Sequence, residues 1–186
     1  MIKKSILTSI IISSLFSNPI DNISTGNCMV PNDIMLSILM CESSPKRKLG
    51  YEYIIRINGK SNLKKAEEIL KDNDLKKISK FVYDCKNETE CQEATNELIK
   101  NNITNLDLGA YQTNYHYHPS EIKNYFNFQT SYLLACKYNH ENINRYGYSW
   151  KTIARYHSGT TALNDSYKQN LIHHYSKILN NKTKEK

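Results

Sequence analysis

Apolar residues recur every three or four positions along most of the chain, the spacing of an α-helix. The first such run covers residues 32–42 and follows Pro31, with Asn32 or Asp33 as the expected cap. Ser61 and Ser149 are the expected caps of two later helices. Helical spacing continues through residues 61–70, 74–84, 90–102, 128–140, 149–159 and the segment after Asp165. The pattern therefore predicts a mainly α fold.

One short stretch departs from helical spacing. Residues 51–59 read YEYIIRING, a β-branched and aromatic run that ends in the tight-turn pair Asn58-Gly59. Residues 103–119 mix turn formers with aromatic residues and end in Pro119, which is typical of a surface loop or an irregular strand. We therefore expect a small β-hairpin or strand near residues 51–59 within the mainly α fold.

The first residues resemble an export signal. Lys3 and Lys4 precede the apolar run SILTSIIISSLF, which is too short for a comfortable transmembrane helix. We predict a secretory signal over residues 1–18, ending as late as residue 27, with an uncleaved anchor as the alternative. An exported domain over residues 28–180 and a basic tail over 181–186 complete the predicted organisation, with no stable membrane insertion after cleavage.

The formal net charge of +7 can favour anionic partners such as nucleic acid or an acidic polymer, although a solvated lysine-rich surface is the simpler explanation. Zinc-dependent nucleic-acid binding would need Cys85 and Cys91 to join His116 and His118. That spacing matches no common zinc finger. We therefore expect no metal, no other cofactor and no nucleic-acid partner.

The chain has five cysteines, and export permits disulfides. Cys85 and Cys91 flank a short polar loop and are the favoured pair. Among Cys28, Cys41 and Cys136, one must stay free or pair outside the chain, and the sequence leaves their connectivity open. If Cys41 pairs, its bond would fix the end of the first helix.

A carboxylate continues the apolar face of that first helix. Glu42 lies four residues after Ile38, three after Leu39 and seven after Met35. Partial burial would raise the pKa of Glu42, and an acid that is still protonated near neutral pH can protonate a leaving glycosidic oxygen. An ordinary exposed glutamate in the last helical turn is the simpler interpretation of this residue taken alone.

Three segments together resemble the soluble lytic transglycosylases, a lysozyme-like family. VPNDIMLSILMCESS resembles the first family motif, a helix that starts at proline and ends in Glu-Ser. NLDLGAYQTN resembles Gly-Leu-Met-Gln-Ile-Asn and matches it at Gly109, Gln112 and Asn114. IARYHSGT resembles Ala-Tyr-Asn-x-Gly, with Tyr156 matching and His157 in the asparagine position. The resemblance runs from about residue 30 to residue 175.

The resemblance implies a lysozyme-like fold and a peptidoglycan lytic transglycosylase. Such enzymes cleave the bond between N-acetylmuramic acid and N-acetylglucosamine and form a 1,6-anhydro sugar, with one carboxyl acting first as acid and then as base. Glu42 would be that carboxyl. The supporting or substrate-binding residues would be Ser43, Gln112, Asn114, Tyr156, His157, Tyr111 and Tyr115. The Tyr156 hydroxyl would lie near Glu42 or the sugar, and His157 would bond sugar or support Tyr156. Tyr111 and Tyr115 would stack on sugar rings, with packing as the simpler alternative.

The segments NYHYHP, ARYHSGT and IRING are similar to a branch of the family found with conjugation, secretion or pilus machinery. This branch implies glycan strands of peptidoglycan and such an apparatus as partners, and a periplasmic, wall-associated location. The first two motifs are further apart here than in compact members. A predicted helical insertion around residues 61–103 fills the gap.

Two alternatives stay open. A lysozyme-type hydrolase needs a second carboxylate, and Asp33 would lie ~13 Å from Glu42 along the helix, which is too far. Asp107 is a candidate for that carboxylate. The other alternative is a catalytically silent wall-binding assembly factor on the same fold.

Overall fold

A computed structural model of the protein describes residues 18–43, 47–73 and 75–184. The predicted signal, apart from its last residue, lies outside these residues. The helices are α1 (Asn32–Glu42), α2 (Lys60–Ile69), α3 (Glu88–Lys100), α4 (Lys123–Phe126), α5 (Phe128–Tyr146), α6 (Trp150–Ala154) and α7 (Thr161–Lys184), with short 3-10 turns at Pro19–Asn22 and Leu70–Asp72. The strands are β1 (Ile54–Ile57), β2 (Lys76–Ser79), β3 (Val82–Asp84), β4 (Leu106–Leu108) and β5 (Thr113–Asn114).

The described residues are mainly helical and include a small antiparallel sheet, as the hydrophobic pattern predicts at that level. Helix α1 has the predicted bounds, but Pro31 occupies the N-cap position instead of Asn32 or Asp33. Ser149 caps α6 as predicted, because its side chain accepts a hydrogen bond from the Thr152 amide. The N-cap position of α2 is occupied by Gly59 and not by Ser61, which was the expected cap.

The sheet is larger than the single hairpin expected near residues 51–59. Its strands lie in the order β2-β3-β1-β4-β5 and all pairs are antiparallel. The helix predicted over residues 74–84 is wrong, because this segment forms the β2–β3 hairpin. The segment around 61–103 therefore holds two helices with a hairpin between them. Asn58-Gly59 does not close a hairpin and instead leads from β1 into α2.

Two hydrophobic clusters stabilise the structure. The first lies among α1, α5, α6 and α7, where Met35, Tyr132 and Leu171 are fully buried. The second lies between one face of the sheet and helices α2, α3 and α4, with Ile55 and Leu98 at its centre. Burial of apolar side chains is the main source of folding free energy, so these clusters hold the helical layer and the sheet in place.

Two disulfides are present among the described residues. Cys85 is joined to Cys91, the pair that the sequence favours. Cys28 is joined to Cys136, which links the segment before α1 to α5. At the other end of the chain, Lys182 on α7 forms an ion pair with Asp33 on α1. Within the described part of the chain, every helix is too short or too polar to cross a membrane.

Candidate active site

A groove of about 1070 Å³ runs between the sheet and the helical layer. Strand register places Arg56, Asp107 and Asn114 directly opposite one another on β1, β4 and β5. Residues that are opposite in an antiparallel sheet share a face, so these three side chains form a polar row on the face away from the second cluster. The last residue of α1, the segment that follows α6 and the start of α7 line the other side of the groove.

Glu42 lies at the C-terminal end of α1, half-buried in this groove. One carboxylate oxygen, Oε1, accepts a hydrogen bond of 2.6 Å from the hydroxyl of Tyr167. Burial raises the pKa of Glu42 to about 7, against the opposing effect of the Tyr167 hydrogen bond. Asp107 raises this pKa further and Arg56 lowers it. The site thus holds a carboxyl group able to give up and take back a proton near neutral pH.

Tyr167 is itself fixed by a neighbouring ring. The His157 imidazole stacks on the Tyr167 ring with a centroid separation of 4.8 Å and an interplanar angle of 7°. His157 was expected to bond sugar or support Tyr156, and in the structure its ring contacts Tyr167. It lies on the groove wall and is exposed. Partial desolvation against the groove wall lowers the pKa of His157, while Asp107 opposes this effect.

The turn after β4 connects the two hydrophobic clusters. Gly109 has φ +73°, and a Cβ atom there would lie 1.8 Å from the carbonyl oxygen of Tyr125, so only glycine fits. Gln112, also left-handed with φ 48°, donates from Nε2 to the Gly109 carbonyl at 2.8 Å. Its Oε1 accepts from Nε of Arg56 at 3.4 Å. Gln112 therefore stabilises this turn and contacts Arg56; its side-chain hydrogen bonds do not reach Glu42.

Tyr156 does not hold Glu42 in the way the sequence suggested. Its hydroxyl donates to the Tyr111 carbonyl at 2.7 Å and lies 3.1 Å from Oγ1 of Thr113. Tyr156 thereby joins the segment that follows α6 to the turn after β4 while lining the groove. The hydroxyl that contacts the acid belongs to Tyr167.

The expected sugar-stacking roles of Tyr111 and Tyr115 are not supported. Tyr111 is fully buried between Phe128 and Tyr132, so its ring cannot reach a ligand. Tyr115 packs edge-on against Tyr125 in the second cluster and does not line the groove. Burial of an aromatic ring against other rings is favourable, and the rings of Tyr111 and Tyr115 are used here for packing in the hydrophobic clusters.

Ser43 and Asn114 do lie in the groove. Ser43 follows the last residue of α1, and its amide donates to the Leu39 carbonyl at 2.9 Å. Asn114 donates from Nδ2 to Oδ1 of Asp107 at 2.7 Å and to Oδ1 of Asn105 at 2.9 Å. Its own Oδ1 accepts from the amide of His116 at 3.0 Å. Asn114 therefore fixes Asp107 and the loop that follows β5.

Asp107 provides a second carboxyl group in the same groove. Burial raises the pKa of Asp107, while hydrogen bonds from Asn58 and Asn114 lower it. The charge of Asp107 raises the pKa of Glu42, so it acts on the half-buried acid in the same groove. Asp33, by contrast, is engaged by Lys182 at the far end of α1.

Cys41 is free, which corrects the hypothesis that a disulfide at this residue fixes the end of α1. Burial raises the pKa of its thiol to about 12, and the charge of Glu42 adds to that effect. The thiol is therefore protonated and unreactive at neutral pH. Packing of α1 against α7 positions Glu42 instead.

Sequence reasoning missed several groove residues. Tyr167 belongs to an apolar stripe of α7 that reads as ordinary core, and only its hydroxyl distinguishes it. Arg56 reads as the polar position of a half-buried strand. The rings of His118 and Tyr138 contact each other on the groove wall, with a centroid separation of 3.7 Å and an interplanar angle of 39°, although the residues are 20 positions apart in the chain. Contacts over such separations leave no local pattern in the sequence.

The groove thus combines a proton-carrying acid, a second carboxyl and exposed hydrogen-bonding groups along an open channel, an arrangement suited to acid–base chemistry on an extended polar ligand. Among the residues that the structure describes, no cluster of three or more histidine, cysteine, aspartate or glutamate side chains is arranged to hold a metal ion. Comparison with protein-family models, curated proteins and solved structures gives no match to this chain.

Proposed function

We propose that the protein is a peptidoglycan lytic transglycosylase with a lysozyme-like fold. The observation that carries the proposal is Glu42, a half-buried acid with a pKa of about 7 at the centre of an open groove. The order of the three motifs around it supports the same proposal, since Glu42, the turn at Gly109–Gln112 and Tyr156 all border that groove.

The first step uses the protonated form of Glu42. A pKa of about 7 keeps this proton on a substantial share of the molecules near neutral pH. Glu42 gives the proton to the oxygen between N-acetylmuramic acid and N-acetylglucosamine, and the bond from that oxygen to the muramoyl C1 breaks. The leaving sugar departs with a new hydroxyl, and positive charge develops at C1.

The second step uses the carboxylate that remains. It takes a proton from the C6 hydroxyl of the same muramoyl residue, and the C6 oxygen forms a bond to C1. The product is the 1,6-anhydro sugar, no water is consumed, and Glu42 is protonated again for the next cycle. The Tyr167 hydroxyl, 2.6 Å from the Glu42 Oε1, stabilises the carboxylate between the two steps.

A lysozyme-type hydrolase is the second candidate, and Asp107 is the observation that favours it. Asp107 lies in the groove and influences the charge of Glu42. A second carboxylate can activate water or stabilise charge at C1 in glycosidases. Asn114 and Asn58 hold Asp107 in hydrogen bonds, which equally suits a role in shaping the groove floor.

The biological setting of the proposal rests on the family resemblance of the sequence. The protein would be exported, would act at the wall in the periplasm, and would open the peptidoglycan locally for a secretion, conjugation or pilus apparatus. The net charge of +7 suits a wall polymer that carries carboxylates.

Clearing of purified sacculi tests the enzymatic proposal. We expect wild type and Glu93→Gln, a control at an exposed position on α3, to reduce sacculus turbidity, whereas Glu42→Gln does not. Sacculus pull-down should be the same for all three proteins. Binding by wild type without any clearing would instead favour the catalytically silent assembly factor.

A further inference from the structure

The floor of the groove carries an arginine that the two-step mechanism does not use. Arg56 is the exposed residue of β1, between buried neighbours Ile55 and Ile57 that face the second cluster. Its side chain projects from the groove face of the sheet, opposite Asp107. It lowers the pKa of both Glu42 and Asp107, so its charge acts at the centre of the site.

The guanidinium of Arg56 has donors to spare. Nε donates to Oε1 of Gln112 at 3.4 Å, a long hydrogen bond, and among the described residues this is the side chain's only hydrogen-bond partner. No ion pair within 4.0 Å joins Arg56 to Asp107 or Glu42 in the described part of the chain. The two terminal nitrogens therefore remain available to a ligand in the groove.

The other cations of the groove are differently engaged. Arg47 forms an ion pair with the buried Asp84, and the Arg155 guanidinium lies 4.0 Å from the centre of the Tyr146 ring. Lys48 is exposed on the rim. Arg56 is thus the cation with open donors on the groove floor, beside the proposed acid.

An open guanidinium fork is a recognised binding group for carboxylates, because two parallel N–H donors match two carboxylate oxygens. A neutral glycan offers it no such partner. The described residues that line the groove include four arginine or lysine side chains and two acids, Glu42 and Asp107. Asp84 neutralises Arg47, which leaves three cations against two acids, so a carboxylate still enters a net positive environment.

We propose that Arg56 is a specificity-determining residue that binds a carboxylate of the muramoyl unit, so that the groove selects acidic glycan strands over neutral ones. This inference rests on the proposed function and names the substrate feature that the site selects. Two groups supply that chemistry: the free lactyl carboxylate of a peptide-free muramoyl residue, and a carboxylate of the stem peptide.

The test measures the binding of three ligands to the Glu42→Gln protein, which should bind them without cleavage. They are neutral chitohexaose, peptide-free glycan strands of matched length, and the same strands with stem peptides. Arg56→Met removes the guanidinium, and Arg145→Met is the matched control, an exposed arginine on α5 that does not line the groove. Arg56→Lys keeps the charge but not the fork, and folding of each variant is checked by thermal unfolding.

We expect Arg56→Met to weaken binding of at least one acidic ligand by between about ten- and a hundredfold, the range of a hydrogen bond to a charged group. Binding of chitohexaose should be unchanged, and Arg145→Met should match the parent on all ligands. A loss confined to peptide-free strands identifies the lactyl carboxylate; one confined to peptide-bearing strands identifies the stem. Arg56→Lys should fall between Arg56→Met and the parent.

Salt dependence gives a second measurement that needs no Arg56 variant. Affinity of the Glu42→Gln protein for an acidic strand should fall as salt rises, and affinity for chitohexaose should not. If Arg56→Met lowers the affinity for acidic and neutral ligands equally, or lowers the affinity for none of them, the proposed role of Arg56 is overturned. If wild type still digests sacculi in that case, the proposed function stands; if wild type digests nothing, both proposals fail.

Discussion

At the scale of the residue, Glu42 shows how a helix can prepare an acid. The helical spacing of α1 places it on the apolar face, so the carboxyl is half-buried and its charged form is disfavoured. Tyr167 offsets part of that effect through one hydrogen bond. The balance of burial and this bond sets the pKa of Glu42 near 7.

Replacing this acid should stabilise the protein at alkaline pH. Burial raises the pKa of Glu42 from 4.5 to about 7, so the folded state holds this proton more tightly than the unfolded state. The protonated Glu42 side chain therefore contributes to the free energy of unfolding fully below pH 4.5, and this contribution is lost as the pH rises through 7. The change amounts to about 3 kcal/mol. Glu42→Gln should unfold at a higher temperature than wild type at about pH 8 and lose that advantage at about pH 5. An equal difference in unfolding temperature between Glu42→Gln and wild type at both pH values would contradict this prediction. Glu93→Gln should unfold at the same temperature as wild type at both pH values.

Removing the Tyr167 hydroxyl should move the pH dependence of activity. The hydroxyl stabilises the carboxylate form of Glu42, so Tyr167→Phe raises the pKa of Glu42 further. Because the first step needs the protonated acid, the alkaline limb of kcat/KM should shift upward by about one pH unit, the effect of one hydrogen bond to a charged group. Tyr175→Phe on the same helix is the control. An unmoved or downward-shifted limb would show that Tyr167 does not act through Glu42.

At the scale of the element, the turn after β4 is the connection on which the groove depends. Gly109 makes the close approach to the Tyr125 backbone, and Tyr111 then enters the first cluster while Leu108 stays in the second. Gln112 closes the turn by bonding the Gly109 carbonyl. Movement of this turn would displace the strand pair β4–β5 that carries Asp107 and Asn114.

Gly109→Ala should destabilise the protein strongly. The new Cβ would lie 1.8 Å from the Tyr125 carbonyl oxygen, and φ +73° also disfavours alanine. Gly147→Ala is a matched control, because Gly147 has φ +76° and a Cβ added there would meet no atom within 4 Å. We expect Gly147→Ala to lower the free energy of unfolding by about 1–3 kcal/mol through backbone strain alone, and Gly109→Ala by more than that, because the steric clash adds to the strain. Equal losses in denaturant titration would remove the steric argument.

Elements differed in how far their sequence revealed them. Helix α1 was predictable because Pro31 and a continuous apolar face mark its start and its length. The β2–β3 hairpin was not, because Ile78, Phe81 and Val82 fit helical spacing and β2 is an edge strand whose residues are mostly exposed. Without one buried face, a strand shows no alternation of apolar and polar residues.

The site was likewise only partly predictable. Glu42 was identifiable because it continues the apolar face of α1 and because its segment resembles a family motif, and Gly109 was identified through its match to the second motif. Tyr167 contacts Glu42 from 125 positions further along the chain, and no local signal reports such a contact. Tyr111 is the opposite case, since an aromatic residue in a loop motif left ligand contact and packing both open, and the residue packs in the core.

At the scale of the whole molecule, covalent links supplement the two hydrophobic clusters. The Cys28–Cys136 bond spans a sequence separation of 108 residues and ties the segment before α1 to α5. The Cys85–Cys91 bond spans only 6 and closes a local loop before α3. The long-range link restricts the unfolded chain far more than the short one.

The two disulfides should therefore differ in their effect on stability. In the chain-entropy description, removing the long loop costs about 5 kcal/mol and removing the short one about 2 kcal/mol. We expect the Cys28→Ser/Cys136→Ser double variant to lose more stability in denaturant titration than Cys85→Ser/Cys91→Ser. The reverse order would show that native packing around Cys85, rather than loop closure, dominates.

Mass spectrometry of the muropeptides released from purified sacculi tests the central claim most directly. The account predicts that wild type releases fragments ending in 1,6-anhydro-muramic acid and that Glu42→Gln releases none. Products that end in a reducing muramic acid, heavier by one water, would contradict the transglycosylase and point to a hydrolase that uses Asp107. Release of no fragments by wild type would contradict the enzyme altogether.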